Sequence, residues 1–200
     1  MAVCLLGRPR RFDMDKALDA ATIVFRELGY VGCSLSDLEK ATGVSRMSLY
    51  NAIGDKEAIF LAVLERFTTG MAQHFGAQLP EKRLDEIIGL FTSLVEGKEQ
   101  ACCKEGCLVV TTSLERDQMS DAIRTELLRT RERQVAMFQE ILAAEKERGV
   151  LAPDIDPAQG AAFIVNAYWG GAATVRLYDD MEPMRGPIMM LIRTLKSWKA

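Results

Sequence analysis

Apolar residues recur at spacings of three and four along almost the whole chain, and this helical period most limits what the chain can fold into. Val, Ile and Thr do not alternate with polar residues over a stretch long enough to predict a strand. With 200 residues, 48% of them hydrophobic, the chain can bury a sizeable core. The sequence therefore predicts an all-α protein of about nine helices, in which a small N-terminal three-helix domain precedes a C-terminal helical bundle.

The first two helices are predicted from their end signals. Apolar periodicity places one helix over about residues 15–28, and Gly29 is its expected stop. Ser34, followed three residues later by Asp37, is a capping-box start for a short second helix over residues 35–41.

A tight reversal and a third helix follow directly. Gly43 can supply the positive φ that such a reversal demands, and Ser45 can cap a helix over residues 46–53. Leu49 and Ile53 are four residues apart and can pack inward together. Together these signals predict a helix, a short turn and a second helix.

The third helix carries a polar face. Because Leu49 packs inward, four side chains point outward or along the rim, namely Arg46, Ser48, Tyr50 and Asn51. A helix that enters the major groove of DNA needs hydrogen-bonding side chains near its N-terminal end and a polar flank that phosphates can approach. We therefore predict that this helix contacts DNA.

Basic residues on either side of these helices are further candidates. Asp55 can cap the next helix, and Lys56 falls in its first turn, where backbone N–H groups and an ammonium together favour a phosphate. Arg8, Arg10 and Arg11 lie on an arm stiffened by Pro9, the kind of segment that reaches into a narrow minor groove. The alternatives are a solvated arm and an ordinary surface ion pair, but the joint occurrence of these features favours DNA.

The segments GRPRRFD, ALDAATIVFRELGY and SLSDLEKATGVSRMSLYNAIGDKEAIF, in that order and spacing, resemble the DNA-binding domain of TetR-like transcriptional repressors. The resemblance covers about residues 7–65. It implies a helix-turn-helix domain that binds a palindromic operator as a dimer, and a larger helical remainder that carries a ligand pocket and the dimer interface. We expect a DNA-binding domain over residues 1–56 and a ligand-sensing and dimerisation domain over residues 57–200.

The resemblance also implies roles for individual residues. Ser34, Tyr50 and Lys56 are expected to contact phosphates, and the neighbourhood of Arg46 and Ser48 to read bases. The candidate DNA-contacting residues are Arg8, Arg10, Arg11, Ser34, Ser45, Arg46, Ser48, Tyr50, Asn51 and Lys56.

The remainder continues the helical pattern. Further helices are predicted at about residues 57–75, 83–96, 106–114, 120–148, from 156 or 157 onward, and from 186 or 187 to 198. In the next-to-last helix, small residues follow Tyr168 and Trp169 and allow another helix to approach closely. The last two helices would then form a face that a second subunit doubles into a four-helix bundle, so we expect a homodimer. The alternative is that both helices are internal core.

A ligand pocket is harder to predict. Five side chains of the second domain are candidates for an apolar lining, namely Phe91, Met137, Phe163, Tyr168 and Trp169. Met and aromatic residues at helical spacing are more often core than pocket, and no ligand class follows from them. We expect a small-molecule inducer, or an oxidant or electrophile, and no cofactor.

Three cysteines suggest how an oxidant or electrophile could act. Cys107 falls at a predicted helix start near Lys104, where the positive helix end and the ammonium both favour the thiolate. Cys102 and Cys103 precede it as possible resolving thiols. Thiol modification would then release DNA; the alternative is that Cys107 is a small buried hydrophobic residue. Without a nearby histidine or a second CxxC pair, the usual zinc ligand set is missing.

Two other classes of function stay open. One is a thiol enzyme that uses Cys107 with His74, the only histidine, as its base. The other is a helical interaction protein that does not bind DNA. A glycine-rich phosphate loop and an HExxH motif are both missing from the sequence, which weakens the enzyme reading. With five cysteines, no export signal and no apolar stretch of membrane-spanning length, we expect a cytoplasmic protein without a membrane partner.

Overall fold

The computed structural model describes residues 12–97, 106–178 and 180–200. Within these ranges the chain forms nine α-helices, one short 3-10 helix (Arg116–Gln118) and no strand, so the predicted all-α class is confirmed. The helices are α1 (Met14–Gly32), α2 (Leu35–Thr42), α3 (Arg46–Ala52), α4 (Lys56–Gln78), α5 (Leu84–Val95), α6 (Leu108–Ser113), α7 (Asp121–Glu147), α8 (Pro157–Tyr178) and α9 (Glu182–Ser197).

Helices α2, α3 and α4 begin at the side-chain caps that the sequence predicts. Ser34 and Asp37 form a reciprocal capping box, and Ser45 and Asp55 each accept a hydrogen bond from a backbone N–H in the first turn of α3 and α4. These side chains pair N–H groups that a helix start otherwise leaves without partners. Gly43 lies in the left-handed region, with φ of 67°, and makes the turn between α2 and α3.

The first helix breaks at Gly29, as the sequence predicts, but a further helical turn follows that the sequence does not predict. Gly29 leaves the helical conformation, with φ of 76° and ψ of 174°, and the chain resumes a helical turn immediately after it. The cause is distant in sequence: the carboxylate of Glu115 accepts the backbone N–H groups of Tyr30 (2.9 Å) and Val31 (3.2 Å). A carboxylate at these N–H groups acts as an N-terminal cap for the new turn.

The predicted start of the last helix, at Gly186 or Pro187, is wrong. Helix α9 begins four residues before Gly186, and Pro187 lies inside it. Packing accounts for the early start, because Met184 is buried against Gly171, where an added β-carbon would lie 2.7 Å from its Cγ atom. The remaining helix ends differ from prediction by a few residues, which is the usual fraying of helix boundaries.

Two clusters of buried apolar residues stabilise this arrangement. One cluster packs α5, α7, α8 and α9 together. The other cluster joins helices α1, α2, α3 and α4 to α6 and to the start of α7. In this cluster the rings of Phe25 and Phe60 meet edge to face, with their centroids 4.9 Å apart. Helix α6 therefore packs against the N-terminal helices as well as the bundle. None of the helices in the described ranges is both long and apolar enough to cross a membrane.

Polar contacts also connect α1 to the bundle. Arg26 donates from Nε (3.0 Å) and Nη2 (2.7 Å) to the carbonyl of Gly106, just before α6. Arg176 of α8 donates to the carbonyl of Glu27 at 2.5 Å. The orientation of α1 is thus coupled to α6 and α8.

Candidate functional site

Helix α3 carries four of the ten predicted DNA-contacting residues. Leu49 is buried and anchors the helix to the N-terminal core, and Ser48 is half-buried. The other candidates on this helix are exposed to solvent, namely Arg46, Tyr50 and Asn51. The predicted orientation of α3, with Leu49 inside and a polar surface outside, agrees with the structure, and Ile53, also predicted to pack inward, is partly buried against the same cluster.

Sequence reasoning missed Met47 on this face. Its side chain is 69% exposed, the most exposed apolar residue of α3. Methionine is usually assigned to the core, but its position between the outward Arg46 and the half-buried Ser48 was an available signal. An exposed apolar side chain beside polar ones suits contact with a thymine methyl group or a sugar.

Arg46 is oriented by an acidic residue of α2. Its Nε atom lies 2.9 Å from Oε2 of Glu39, and its backbone N–H donates to Oε1 at 3.4 Å. The side-chain bond from Arg46, followed by the backbone bond, lowers the pKa of Glu39 below its ordinary value. The ion pair uses the Nε–H, while the two Nη groups carry the donors that bidentate base recognition needs.

Two of the three candidate serines, Ser34 and Ser45, cap helices, and Ser48 lies in the first turn of α3. The hydroxyl of Ser34 donates to Oδ2 of Asp37 at 2.6 Å and accepts the Asp37 backbone N–H at 3.2 Å. The side-chain hydrogen bond from Ser34 is also the main cause of the lowered pKa of Asp37. The hydroxyls of Ser45 and Ser48 lie 2.9 Å apart at the start of α3. All three side chains therefore lie at the N-terminal ends of α2 and α3, where phosphates are attracted.

Lys56 lies at the start of α4, next to the end of α1. Its Nζ donates to the carbonyl of Val31 at 3.4 Å and lies 4.7 Å from the centre of the Tyr30 ring. Burial raises the pKa of the neighbouring Cys33 to about 11, although the charge of Lys56 acts in the opposite direction. The arm candidates, Arg8, Arg10 and Arg11, lie outside the described residues.

The environment of Cys107 contradicts the predicted thiolate. The residue is buried, and burial raises its pKa, although the N–H groups of Val110 and Val109 and the charge of Arg26 act to lower it. The prediction of a low pKa for Cys107 is therefore wrong, because α6 starts inside the core and not at the surface. The other sensor candidates, Cys102 and Cys103, lie outside the described residues.

The apolar ligand candidates are in different places. Met137 lines a cavity of about 80 Å³ between α4 and α7, and Phe91 and Tyr168 line a void of about 10 Å³ beside it. Trp169 contacts neither space directly but donates its indole N–H at 2.9 Å to Gln134, which lines both. Phe163 is 45% exposed on α8, against the ring of Trp198, so the structure removes it from the predicted lining.

Sequence reasoning missed two polar residues of this cavity, Thr130 and Gln134. A signal was available, because both fall on the inward face of α7 at the helical spacing of Leu127 and Phe138. A polar residue on an otherwise apolar stripe needs a partner inside the protein. No cluster of three or more His, Cys, Asp or Glu residues suited to a metal ion occurs in the part of the chain that the structure describes.

Comparison with known proteins gives matches along most of the chain. Residues 17–63 match the family described as "Bacterial regulatory proteins, tetR family", and residues 80–189 match "Tetracyclin repressor-like, C-terminal domain". The HTH-type transcriptional repressor ComR of Escherichia coli (strain K12) is 29% identical over 195 residues, which cover 96% of this chain and 91% of ComR. The repressor DhaR of Mycobacterium sp. (strain GP1) is 29% identical over 173 residues, 84% of each chain.

Solved structures agree with these matches. The TetR family transcriptional regulator CifR, as a cysteine mutant complexed with 26 bp double-strand operator DNA, superposes with a TM-score of 0.81 at 28% identity, covering 94% of this chain and 98% of CifR. The reduced form of Escherichia coli NemR superposes with a TM-score of 0.79 at 23% identity, covering 93% and 96%, and so shows the shared fold. The two family matches together take in the helix-turn-helix and the bundle, and the chain belongs to the TetR family of bacterial regulatory proteins.

Proposed function

We propose that this protein is a transcriptional repressor that binds a palindromic DNA operator as a homodimer and releases it when a small molecule binds the helical bundle. The observation that carries the proposal is the solvent-exposed polar face of α3, anchored by a single buried leucine and flanked by Lys56. The operator complex of CifR and the repressor descriptions of ComR and DhaR support it. Acting on DNA places the protein in the cytoplasm.

The two parts of the chain have separate tasks in this proposal. Residues 1–56 bind DNA, with Arg46 and Ser48 reading bases in the major groove. Residues 57–200 sense the ligand and hold the dimer together. The phosphate contacts come from Ser34, Ser45, Tyr50, Asn51 and Lys56, and the arm residues Arg8, Arg10 and Arg11 reach the minor groove.

Helices α8 and α9 form the proposed dimer face. On α8, Phe163 and Leu177 are exposed at helical spacing, with Gly170 between them in open space. On α9, Met189 and Met190 are exposed. Exposed apolar side chains on two packed helices are suited to a symmetric four-helix contact with a second copy. The chain has a mass of 22.2 kDa. Sedimentation at micromolar protein concentration should give twice this mass.

Helix α4 gives the proposed route from ligand to DNA. It starts at Lys56, on the DNA side, and its later residues from Thr68 to Phe75 line the cavity in the bundle. A ligand that shifts one end of this helix therefore changes the position of Lys56 relative to α3. Release by an oxidant or electrophile acting at Cys102 or Cys103 is a second input within the same proposal, whereas the buried Cys107 suits neither this role nor that of an enzyme nucleophile.

Titration of the purified protein with DNA from the region flanking its own gene tests the proposal. A repressor should bind this DNA far more tightly than random DNA, and log K should fall linearly with log salt. Lys56→Ala should weaken binding to both DNAs alike and reduce the salt slope by about 1, whereas Arg46→Ala should cost about 1–3 kcal/mol on the operator and relax its sequence preference. Arg124→Ala, an exposed arginine on α7, is the matched control. Equal affinity for both DNAs would contradict the proposal.

A further inference from the structure

Two polar side-chain atoms are buried between α4 and α7 without a hydrogen-bond partner. They are Oγ1 of Thr130 and Nε2 of Gln134, and Thr130 is only 4% exposed. Buried polar groups in native proteins almost always have partners, because an unpaired one keeps the full cost of losing water. Two such atoms four residues apart on one helix face indicate that a partner belongs there.

The orientation of Gln134 follows from its contact with Trp169. The indole Nε1–H can only donate, and it lies 2.9 Å from Oε1 of Gln134. The amide oxygen is therefore directed to Trp169, and the amide NH₂ group, with its two donors, is on the other side. A partner for Gln134 must consequently be a hydrogen-bond acceptor.

Both residues line the cavity of about 80 Å³ described above. Its apolar wall consists of Met71, Ala72, Phe75 and Met137. A cavity that holds benzene, with its six non-hydrogen atoms, is about 150 Å³, so this one has room for roughly three non-hydrogen atoms. Methionine side chains adapt their shape readily, which allows a slightly larger occupant.

The charged residue at the rim has partners outside the cavity. Arg133 also lines the cavity, but its guanidinium bonds the carboxylate of Glu126 and, through Nε, the carbonyl of Arg129 at 3.3 Å. An ionised ligand would enter without a countercharge and at a large desolvation cost. The occupant should therefore be uncharged.

We propose that this cavity binds a small uncharged carbonyl compound, whose oxygen accepts hydrogen bonds from Nε2 of Gln134 and Oγ1 of Thr130 and whose short carbon skeleton packs on the methionines. A surface groove of about 1090 Å³ shares Thr68 and Arg133 with the cavity and so lies directly beside it. This inference deepens the proposed function by naming the ligand class, and it rests on that function only for the effect on DNA. Binding itself needs no DNA.

Butanone and its hydrocarbon counterpart 2-methylbut-1-ene, in which a CH₂ group replaces the carbonyl oxygen, are the probes. The full-length protein carries two tryptophans, so its two indole N–H signals in a nitrogen–proton NMR spectrum can be assigned with a Trp198→Phe variant. Butanone should shift the Trp169 signal saturably, with millimolar affinity as expected for so small a ligand. The hydrocarbon should bind at least about tenfold more weakly, because the amide donors would stay unpaired.

Two threonine variants provide a matched pair. Thr130→Val keeps the side-chain shape but removes the hydroxyl, and it should weaken butanone binding about tenfold. Thr112 is likewise buried with an unpartnered hydroxyl, but it lies on α6 and does not line the cavity, so Thr112→Val should leave binding unchanged. Because both variants remove a buried unpaired hydroxyl, both should remain folded.

Three results would overturn the inference. They are a Trp169 signal that does not saturate with butanone, equal binding of the two probes, and equal affinities in the two threonine variants. A crystal structure with ordered waters bonded to both Thr130 and Gln134 after a butanone soak would assign the cavity to water instead. Failure of DNA binding with intact butanone binding would contradict only the repressor function, and the reverse pattern would contradict only this ligand class.

Discussion

The carboxylate of Glu115 packs against Gly29 so closely that a β-carbon on Gly29 would lie 2.0 Å from its Oε1 atom. The other oxygen, Oε2, accepts the backbone N–H groups of Tyr30 and Val31 and so caps the last turn of α1. The ring of Tyr30 in turn supports the ammonium of Lys56. One side chain from beyond α6 therefore stabilises the part of the N-terminal domain where a DNA phosphate is expected.

Gly29→Ala should lower the free energy of unfolding by about 2 kcal/mol or more. Alanine is strained at φ of 76° and ψ of 174°, at a cost of about 1–3 kcal/mol, and its methyl group would displace Glu115 from two N–H groups. Urea unfolding measures the loss, and affinity for DNA should fall with it. Gly32→Ala is the control, because the nearest atom to its β-carbon is Cβ of Leu28 at 3.9 Å. Equal losses in the two variants would show that the contact with Glu115 is unimportant.

Glu39→Gln should strengthen binding to random DNA severalfold at low salt. The change removes a negative charge from α2 beside Arg46, which we propose to contact DNA, and it releases the guanidinium from an exposed ion pair. The free energy of unfolding should change by less than about 1 kcal/mol, because exposed pairs contribute little. Fluorescence anisotropy with labelled DNA at two salt concentrations measures the effect. Glu140→Gln, which removes an exposed acid paired with Lys82 on the bundle, is the control.

The same variant also reports on sequence recognition. If Glu39 holds Arg46 in the position that reads a base, Glu39→Gln should lose preference for the operator while gaining affinity for random DNA. Weaker binding to both DNAs would contradict a location of this pair at the DNA surface.

Local signals account for the features that could be predicted from sequence. The caps Ser34, Ser45 and Asp55 and the turn at Gly43 act within four residues of their partners, so the helix-turn-helix could be derived with the correct outward face. The family resemblance added the expected dimer and the ligand-binding bundle. The local caps and the family resemblance both depend on short-range patterns, which a single sequence displays.

The features that prediction missed depend on residues far apart in the chain. The kink at Gly29 is completed by Glu115, and the orientation of Gln134 by Trp169, which is 35 residues away. The predicted thiolate at Cys107 was derived from the helix start alone, whereas the packing of α1 and α7 over α6 decides its burial. The period of the apolar residues shows which side of each helix faces inward, but it does not show which other helix packs against that side.

The two buried cysteines, Cys33 and Cys107, can be tested separately from the other three. In a variant with Ser in place of Cys4, Cys102 and Cys103, only Cys33 and Cys107 remain. With the pKa of Cys33 at about 11, about one thiol in a thousand is ionised at pH 8, and burial raises the pKa of Cys107 too. We expect iodoacetamide to label neither thiol in the native protein, and DNA binding to survive a thiol oxidant.

Mass spectrometry after alkylation, with and without urea, measures this labelling. Unfolded protein should be labelled at both positions, which controls for the reagent. Native labelling at Cys107 at the rate seen in urea would restore it as a sensor. Loss of DNA binding on oxidation in the wild type but not in the triple variant would assign the response to one or more of Cys4, Cys102 and Cys103.

Glu145 is a buried acid with three hydrogen-bond donors around it. It accepts bonds from Arg148 (2.7 Å), from Arg83 (3.3 Å) and from the backbone N–H of Leu84 (3.4 Å). Burial acts to raise the pKa of Glu145, but the bonds from Arg148, Leu84 and Arg83 outweigh it, so the pKa lies below its ordinary value. Glu145 therefore anchors the start of α5 to the end of α7.

Glu145→Gln should lower the free energy of unfolding by about 2–4 kcal/mol near pH 7, because the two arginines lose their shared carboxylate. Since the pKa of Glu145 is lower in the folded state, its stabilising contribution is present above the ordinary value of about 4.3 and is lost as the pH falls through the folded-state value. Urea unfolding at several pH values should show that the difference in free energy of unfolding between wild type and variant becomes smaller as the pH falls into the acid range. A difference that persists unchanged at low pH would mean that Gln at this position disturbs packing and not charge. Glu140→Gln, on the exposed side of the same helix, is the control and should have the same free energy of unfolding as the wild type at every pH.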